Sequence, residues 1–197
     1  MNRICVFCGA SAGNRPEYRE LAVRMGEALV EQGIGLVYGG GGIGLMGVVA
    51  QTVHRRGGEV IGVIPRALFE REVAYDELKD LRIVESMHER KALMAELSDG
   101  FIAMPGGFGT LEEFFEVLTW GQLGFHQKPI GILGAENFYG PLLSALDHGV
   151  DEGFIKPEHR KLVLEAGSPS ALIQRMKDYR AEPVDRAAWS GPLKKIT

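Results

Sequence analysis

The sequence predicts a single α/β domain: a Rossmann-like open parallel sheet with helices on both faces. Short apolar runs rich in β-branched residues alternate with longer helical patterns, which is the order of β-α-β units. Most of these runs are continuously hydrophobic, as strands covered on both faces are. The length of 197 residues corresponds to roughly one domain. We therefore expect the domain to span residues 1–181 and the polar, proline-interrupted residues 182–197 to form a tail.

The strands are predicted from the apolar runs, in chain order. They are Arg3–Cys8, Gly35–Tyr38, Val60–Ile64, Leu81–Val84, Gly100–Met104, Pro129–Leu133 and Leu162–Leu164. Helices are predicted between them at Glu17–Gln32, Gly44–Arg56, His88–Leu97, Leu111–Gln122, Tyr139–Glu152 and Pro169–Arg180. In the first helix, apolar residues from Tyr18 to Leu29 recur at helical spacing, and Gly33 follows as a stop signal.

The composition argues against several classes of protein. Lys and Arg total 22 against 26 Asp and Glu, and a net charge of −4 is unusual for a nucleic-acid-binding domain. Two cysteines are too few for a disulfide scaffold. No apolar run approaches the roughly 18 residues of a membrane helix, and the N-terminus lacks the apolar core of a signal peptide. We expect a cytoplasmic protein that binds neither nucleic acid nor membrane.

The 27 glycines cluster in loops that follow predicted strands, where ligands bind in open parallel sheets. The first loop, Cys8–Gly13, matches the G-x-S-x-G pattern of serine hydrolases. The segment Asn14–Pro16 separates it from the next helix, however, so the sharp strand-to-helix turn of that motif is missing. The pattern favours a flexible loop whose amides and Ser11 hydroxyl line a polar ligand. Cys5 and Cys8 should face opposite sides of the strand and are expected to be buried.

The second loop, Gly39–Gly47, contains G-x-G-x-x-G between a strand and a helix. The dinucleotide motif also needs an acidic residue about 20 positions later, and none is present there. Four consecutive glycines let the backbone at Gly40 and Gly41 approach a ligand closely, and the following helix N-terminus favours an anion. Close packing of helix on strand is the alternative explanation.

The third loop, Pro105–Gly109, precedes Thr110, which is predicted to cap a helix with Glu112 and Glu113 in its first turn. Two features of this segment are not explained by helix capping. Three glycines precede it, and at about 100° per residue Glu113 falls on the apolar side of the helix. A carboxylate among apolar neighbours is unfavourable unless it is paired or functional.

Arg90 is equally misplaced on its own helix. The same spacing puts it in the middle of the apolar arc formed by Met87, Leu93, Met94 and Leu97. We expect it to meet an anion, which is Glu113, a substrate phosphate or both; a purely structural ion pair between helices is the alternative. The five histidines show no metal-ligand spacing, so neither a metal nor a cofactor is expected.

Several motifs together resemble the LONELY GUY family of cytokinin riboside 5′-monophosphate phosphoribohydrolases, whose members are often described as lysine decarboxylases. The motifs are Tyr38–Gly47 (YGGGGIGLMG), Ser86–Lys91 (SMHERK), Pro105–Glu113 (PGGFGTLEE) and Thr119–Gly124 (TWGQLG). The resemblance covers about residues 1 to 180. It implies hydrolysis of the N-glycosidic bond of AMP or an N6-substituted AMP, giving the free base and ribose 5-phosphate. A chain of this size with no separate cofactor domain does not fit a pyridoxal-phosphate decarboxylase.

The resemblance also implies roles for residues. Arg90 and Glu113 match the catalytic pair. The substrate- and phosphate-binding positions are Glu72, Lys91, Gly106, Gly107, Phe108, Gly109, Thr110, Leu111, Glu112 and Thr119. Phe108 stands where tyrosine is frequent in plant members. The family implies a homodimer with the site near the interface. The competing hypothesis is a nucleotide-binding or carrier protein without catalysis, which would not need the Arg90 and Glu113 pair.

Overall fold

The computed structural model of the protein describes residues 1–70, 75, 77–134 and 137–181. In these residues the chain forms seven strands and eight helices. The strands are β1 (Arg3–Phe7), β2 (Gly35–Tyr38), β3 (Val60–Pro65), β4 (Asp80–Val84), β5 (Phe101–Ala103), β6 (Ile130–Ile132) and β7 (Val163–Glu165). The helices are α1 (Pro16–Glu31), α2 (Gly44–Arg55), α3 (Arg66–Phe69), α4 (Met87–Glu96), α5 (Phe108–Gln122), α6 (Gly140–Asp151), α7 (Pro157–Arg160) and α8 (Pro169–Asp178).

The strands form one parallel sheet in the order β4-β3-β2-β1-β5-β6-β7. The central strand β1 pairs with β2 on one side and with β5 on the other, so the chain changes direction across the sheet at this point. Loops that follow β1 and β5 therefore diverge and leave a crevice at the carboxyl edge, where such folds bind ligands. The predicted fold is confirmed.

Two hydrophobic layers cover the sheet, because alternate strand residues point to opposite faces. Ile4 and Val6 of β1 pack with α1, α2 and α8, whereas Cys5 and Phe7 pack with α4, α5 and α6. Cys8 belongs to the first layer, so the two cysteines lie on opposite faces, as predicted, and burial raises the pKa of both thiols. Among the residues described, none of the helices combines the length and the apolar character needed to cross a bilayer.

Most element boundaries agree with the predictions to within two residues; the differences are two additional short helices and the start of α5. The helices α3 and α7 are single turns, too short to show a helical period in the sequence. The prediction that Thr110 caps α5 is wrong. The residue before α5 is Gly107, whose carbonyl accepts the Leu111 amide, so Thr110 lies inside the first turn and Glu112 and Glu113 fall beyond it. The proposed tail at 182–197 lies outside the described residues.

Candidate active site

A cavity of about 470 Å³ opens at the carboxyl edge of the sheet. Backbone hydrogen bonds hold its loops together: the Gly9 amide donates to the Pro105 carbonyl at 3.0 Å, and the Leu45 amide donates to the Gly9 carbonyl at 2.9 Å. The buried Tyr139 hydroxyl donates to the Met104 carbonyl at 2.6 Å, directly before the third glycine loop. The loops after β1 and β5 and the start of α2 therefore form one connected wall.

Seven of the predicted site residues line this cavity. They are Ser11, Arg90, Gly106, Gly107, Gly109, Thr110 and Glu113. They come from the loop after β1, from α4 and from the loop and first turns at α5. The parallel strand order thus brings together groups that are up to about a hundred positions apart in sequence.

Arg90 and Glu113 form a buried ion pair at the cavity, with exposed fractions of 8% and 9%. Arg90 Nη1 donates to Glu113 Oε1 at 3.0 Å. The same guanidinium donates through Nε to the Val63 carbonyl at 3.0 Å and through Nη2 to the Gly39 carbonyl at 3.2 Å. Arg90 is thus fixed to β3 and to the residue that follows β2, while it holds a carboxylate from α5. The expected contact between these two residues is present.

Local sequence explains why Arg90 can reach this position. Ser86 caps α4, its hydroxyl accepting the Glu89 amide at 3.1 Å, and Arg90 follows one turn later. Gly39 leaves room for the guanidinium, because a Cβ there would lie 2.0 Å from Arg90 Nη2. Gly39 is therefore a site residue that the sequence predictions did not name. Its signal was the run of four glycines that it begins.

The electrostatics of the site favour a carboxyl group that titrates near neutrality. Burial raises the pKa of Glu113 to about 7, although the nearby Arg90 guanidinium acts in the opposite direction. Desolvation disfavours the charged carboxylate, and the single ion pair offsets only part of that effect. A group with such a pKa can gain and lose a proton at physiological pH, as general acids and bases do.

The N-terminus of α5 faces the same cavity. The amides of its first residues, Phe108, Gly109 and Thr110, precede the first helical hydrogen bond, which Leu111 makes, and such amides attract anions. A Cβ on Gly107 or Gly109 would meet no atom within 4 Å, so the packing of this chain does not require glycine there. Gly106 differs, because its Cβ would lie 2.1 Å from Thr110 Oγ1. The open space beside the amides suits a ligand.

The second glycine loop serves mainly to bring backbone segments together. Gly44 has φ +61°, and a Cβ on it would lie 2.2 Å from the Ala10 carbonyl carbon. A Cβ on Gly40, with φ +81°, would lie 3.0 Å from Ile64. Gly40 and Gly41 are buried and do not line the cavity. The close packing considered above as the alternative accounts for the glycines at positions 40 and 44 of this loop.

The described residues that remain from the prediction do not line the cavity with their side chains. Phe108, Glu112 and Thr119 lie on the outward face of α5, whereas the half-buried Leu111 packs against the hydrophobic layer that contains Phe114. Lys91 on α4 forms ion pairs with Glu112 and, at 2.9 Å, with Glu116. Burial lowers the pKa of Lys91, but the hydrogen bonds that its ammonium group donates to these two glutamates outweigh that effect, and the net pKa is raised. Glu72 lies outside the described residues.

Apolar side chains complete the cavity, and the sequence predictions did not place them there. They are Tyr18, Leu45, Met46, Leu68 and Phe138. The rings of Tyr18 and Phe138 meet edge to face, with centroids 5.6 Å apart. Within the described part of the chain, no three His, Cys, Asp or Glu side chains are grouped so that they could hold a metal ion.

Comparison with known proteins places the chain in a family. A family profile described as "Possible lysine decarboxylase" matches residues 46–176. The chain is 49% identical over 180 residues to "Cytokinin riboside 5'-monophosphate phosphoribohydrolase LOG7" of Arabidopsis thaliana, covering 91% of this chain and 83% of that protein. It is 51% identical over 191 residues to "Cytokinin riboside 5'-monophosphate phosphoribohydrolase LOG" of Oryza sativa subsp. japonica, covering 97% of this chain and 79% of that protein.

A solved structure supports the fold. The molybdenum cofactor binding protein from Rippkaea orientalis superposes with a TM-score of 0.68 at 23% identity, covering 90% of this chain and 96% of that one. At this identity the likeness concerns the fold and not the ligand. Because the profile spans most of the chain and about half of all residues match the named relatives over nine-tenths of its length, the protein belongs to the LONELY GUY family of cytokinin riboside 5′-monophosphate phosphoribohydrolases.

Proposed function

We propose that the protein hydrolyses the N-glycosidic bond of adenosine 5′-monophosphate or an N6-substituted derivative, releasing the free base and ribose 5-phosphate. Its relatives are named as phosphoribohydrolases that act on cytokinin riboside 5′-monophosphates. The observation that carries it in this chain is the buried Arg90–Glu113 pair, which lines the same cavity as the N-terminus of α5. A carrier protein could bind a nucleotide with the amides alone. It would gain nothing from a desolvated acid beside them.

In this proposal the phosphate binds at the start of α5. The free amides of Phe108, Gly109 and Thr110 would donate to phosphate oxygens, and the Thr110 hydroxyl lies in the same lining. The ribose then lies over Glu113, which is less than two turns further along α5. This arrangement holds the reacting C1′ carbon near the carboxyl group, as an oriented reaction requires.

The chemistry follows from the state of Glu113. Cleavage of the bond between C1′ and the base leaves the electron pair on the base and an oxocarbenium-like ribose, which a carboxylate stabilises. The oxygen of water adds to C1′ and Glu113 accepts the proton that this water loses. The protonated Glu113 then gives a proton to the base nitrogen that kept the electron pair, so that the free base leaves neutral and the carboxylate is restored. A pKa of about 7 suits both transfers. Arg90, held by two main-chain carbonyls, fixes the carboxylate in place.

Product analysis tests this function directly. The purified protein is incubated with AMP and with isopentenyl-AMP in the absence of added metal, and free base and ribose 5-phosphate are followed by chromatography. We expect both products in equal amounts, and the preferred nucleotide identifies the substrate class. If neither nucleotide is cleaved while both protect the protein against thermal unfolding, the protein is a binding protein and the proposal fails.

The outward face of α5 supports a homodimer with the site near its interface. Phe108 and Phe115 on this face are 93% and 37% exposed, and Met87 at the start of α4 is 41% exposed. Lys91 and Thr119 match family ligand positions, yet neither lines the cavity of its own chain. In a homodimer they would be available to a substrate bound in the cavity of the second copy. The exposed apolar side chains and the location of Lys91 and Thr119 outside the cavity therefore both favour a homodimer that pairs through the outward face of α5.

Sedimentation velocity tests the dimer. Phe115→Glu places a charge on the outward face of α5, and we expect it to yield monomers with strongly reduced turnover. Phe154→Glu, at a side chain that is 90% exposed beyond α6, is the matched control and should leave the wild-type sedimentation unchanged. A wild-type chain that sediments as a monomer while it turns over substrate would contradict the proposed pairing.

A further inference from the structure

The cavity has an apolar wall at each of its two sides. Met46 lies in the first turn of α2, which follows β2, and Leu68 lies in α3, which follows β3. Phe138 follows β6 and meets Tyr18 edge to face. Because β1 and β5 separate β2 and β3 from β6 in the sheet, the two walls stand on opposite sides of the crevice. A nucleotide has a single base, so only one of the two apolar walls can contact it.

The polar groups of the site are the free amides of α5 and the Arg90–Glu113 ion pair, and they lie over different strands of the sheet. α5 begins five residues after the end of β5. Arg90, which holds Glu113, donates hydrogen bonds to the carbonyl of Gly39, directly after β2, and to the carbonyl of Val63 within β3. The path from the free amides of α5 to the ion pair therefore leads across β1 toward β2 and β3. It leads away from β6 and Phe138.

Met46 lies directly beside the end of this path. A Cβ on Gly39 would be 2.0 Å from Arg90 Nη2 and 3.2 Å from Met46 Sδ, so both side chains flank the same backbone atom. Leu68 lies in α3, the single-turn helix that follows β3, and β3 is the neighbour of β2 in the sheet. That helix has no buried residue, and the half-buried Leu68 faces the cavity instead of the core. A flexible thioether and a leucine form an adaptable apolar surface.

We propose that Leu68 and Met46 receive the nucleobase and its N6 substituent, and that Leu68 sets the preference for an apolar substituent over the bare amino group. This inference rests on the proposed function, which puts the phosphate at α5 and the ribose at Glu113. In a nucleotide the base continues the line from phosphate through ribose, so it extends over β2 and β3. The Tyr18–Phe138 wall lies on the other side of the phosphate.

The test is the ratio of kcat/KM for isopentenyl-AMP to kcat/KM for AMP. Leu68→Ala removes the apolar contact and Leu68→Asn replaces it with a polar group of similar size. We expect each to lower the ratio by about tenfold, the order of effect of a lost contact with a small apolar group. Phe69→Leu changes the exposed neighbour on the same turn, which does not line the cavity, and is the matched control. Phe138→Leu probes the opposite wall and should leave the ratio unchanged.

Two results would overturn the assignment. Either the ratio stays at its wild-type value in both Leu68 variants, or it falls in Phe138→Leu, which would put the base on the β6 side. Failure of the proposed function has a different signature, because wild-type protein would then cleave neither nucleotide. In that case the ratio of the two dissociation constants, measured by calorimetry for the same variants, takes the place of the kinetic ratio and decides the assignment in the same way.

Discussion

Glu113 Oε1 lies 3.0 Å from Arg90 Nη1, and the arginine's Nε and Nη2 are bonded to main-chain carbonyls of the sheet. Arg90 is therefore a fixed cation and not a mobile one. Burial still raises the pKa of Glu113 to about 7. The pair thus holds a carboxyl group in a defined place without locking it in the charged form, as proton transfer between the attacking water and the departing base requires.

Replacing Glu113 with glutamine should abolish turnover and leave the affinity for AMP within about tenfold of wild type. The amide keeps the shape and still accepts a hydrogen bond from Arg90, but it can neither stabilise a developing cation nor accept a proton. Turnover is measured by base release and affinity by calorimetry. Glu96→Gln, on the exposed end of α4, is the control for loss of one acid. Normal turnover in Glu113→Gln would remove this residue from the mechanism.

The rate should depend on pH through the same group. The carboxylate is the active form of Glu113, so kcat/KM is expected to rise as pH increases through about 7 and then level off. Initial rates with AMP between pH 5 and 9 give the midpoint. A profile that is flat from pH 5 to 8 would show that Glu113 does not need to be ionised.

The stability of the fold should depend on pH in the opposite direction, so that it decreases where kcat/KM increases. A raised pKa means that the folded chain holds a proton on Glu113 at pH values where the unfolded chain has lost it. The free energy of unfolding that this residue contributes is therefore highest at low pH. It falls as pH rises from about 4.5 to about 7. The difference in melting temperature between wild type and Glu113→Gln, followed across this window, isolates the effect, and a constant difference would contradict it.

The sequence allowed the fold and the central pair to be predicted, because both depend on regular spacing. Continuous apolar runs identify parallel strands, and a helical wheel is sufficient to find a charged residue on an apolar face. Arg90 and Glu113 violate this pattern on two different helices and are in contact in the structure. The start of α5 was misplaced because Thr110 is a favoured capping residue, whereas the helix begins after Gly107.

The outer parts of the site could not be predicted, because they depend on tertiary arrangement. Leu68 and Phe138 carry no motif, and only the strand order brings them to the cavity. The contacts of Lys91 could not be predicted from the sequence either. It follows Arg90 directly, but on a helix adjacent residues point in different directions, and Lys91 pairs with Glu112 and Glu116 on the outside of α5.

The glycines of the third loop should separate into two classes. Gly107→Ala and Gly109→Ala add a Cβ in open space, so the fold should tolerate them while the Michaelis constant for AMP rises by about tenfold or more through contact with the phosphate. Gly106→Ala collides with Thr110 Oγ1 and should lower the melting temperature. Thermal unfolding and kinetics of the three variants distinguish the classes. Unchanged Michaelis constants for the first two would place the phosphate elsewhere.

Gly39 offers the sharpest test of how Arg90 is positioned. In Gly39→Ala the new Cβ would lie 2.0 Å from Arg90 Nη2, and the guanidinium would have to leave the Gly39 carbonyl and shift relative to Glu113. We expect turnover to fall by about a hundredfold, the order of loss that a displacement of about 1 Å at a reacting group can cause.

The pH profile shows whether this loss acts through the ion pair. Arg90 lowers the pKa of Glu113 against the larger effect of burial, so a displaced guanidinium should move the midpoint of kcat/KM to higher pH. Gly167→Ala, whose Cβ would meet no atom within 4 Å, is the matched control and should retain both turnover and midpoint. A Gly39→Ala variant that loses turnover with an unshifted midpoint would mean that Arg90 acts on the substrate and not through Glu113.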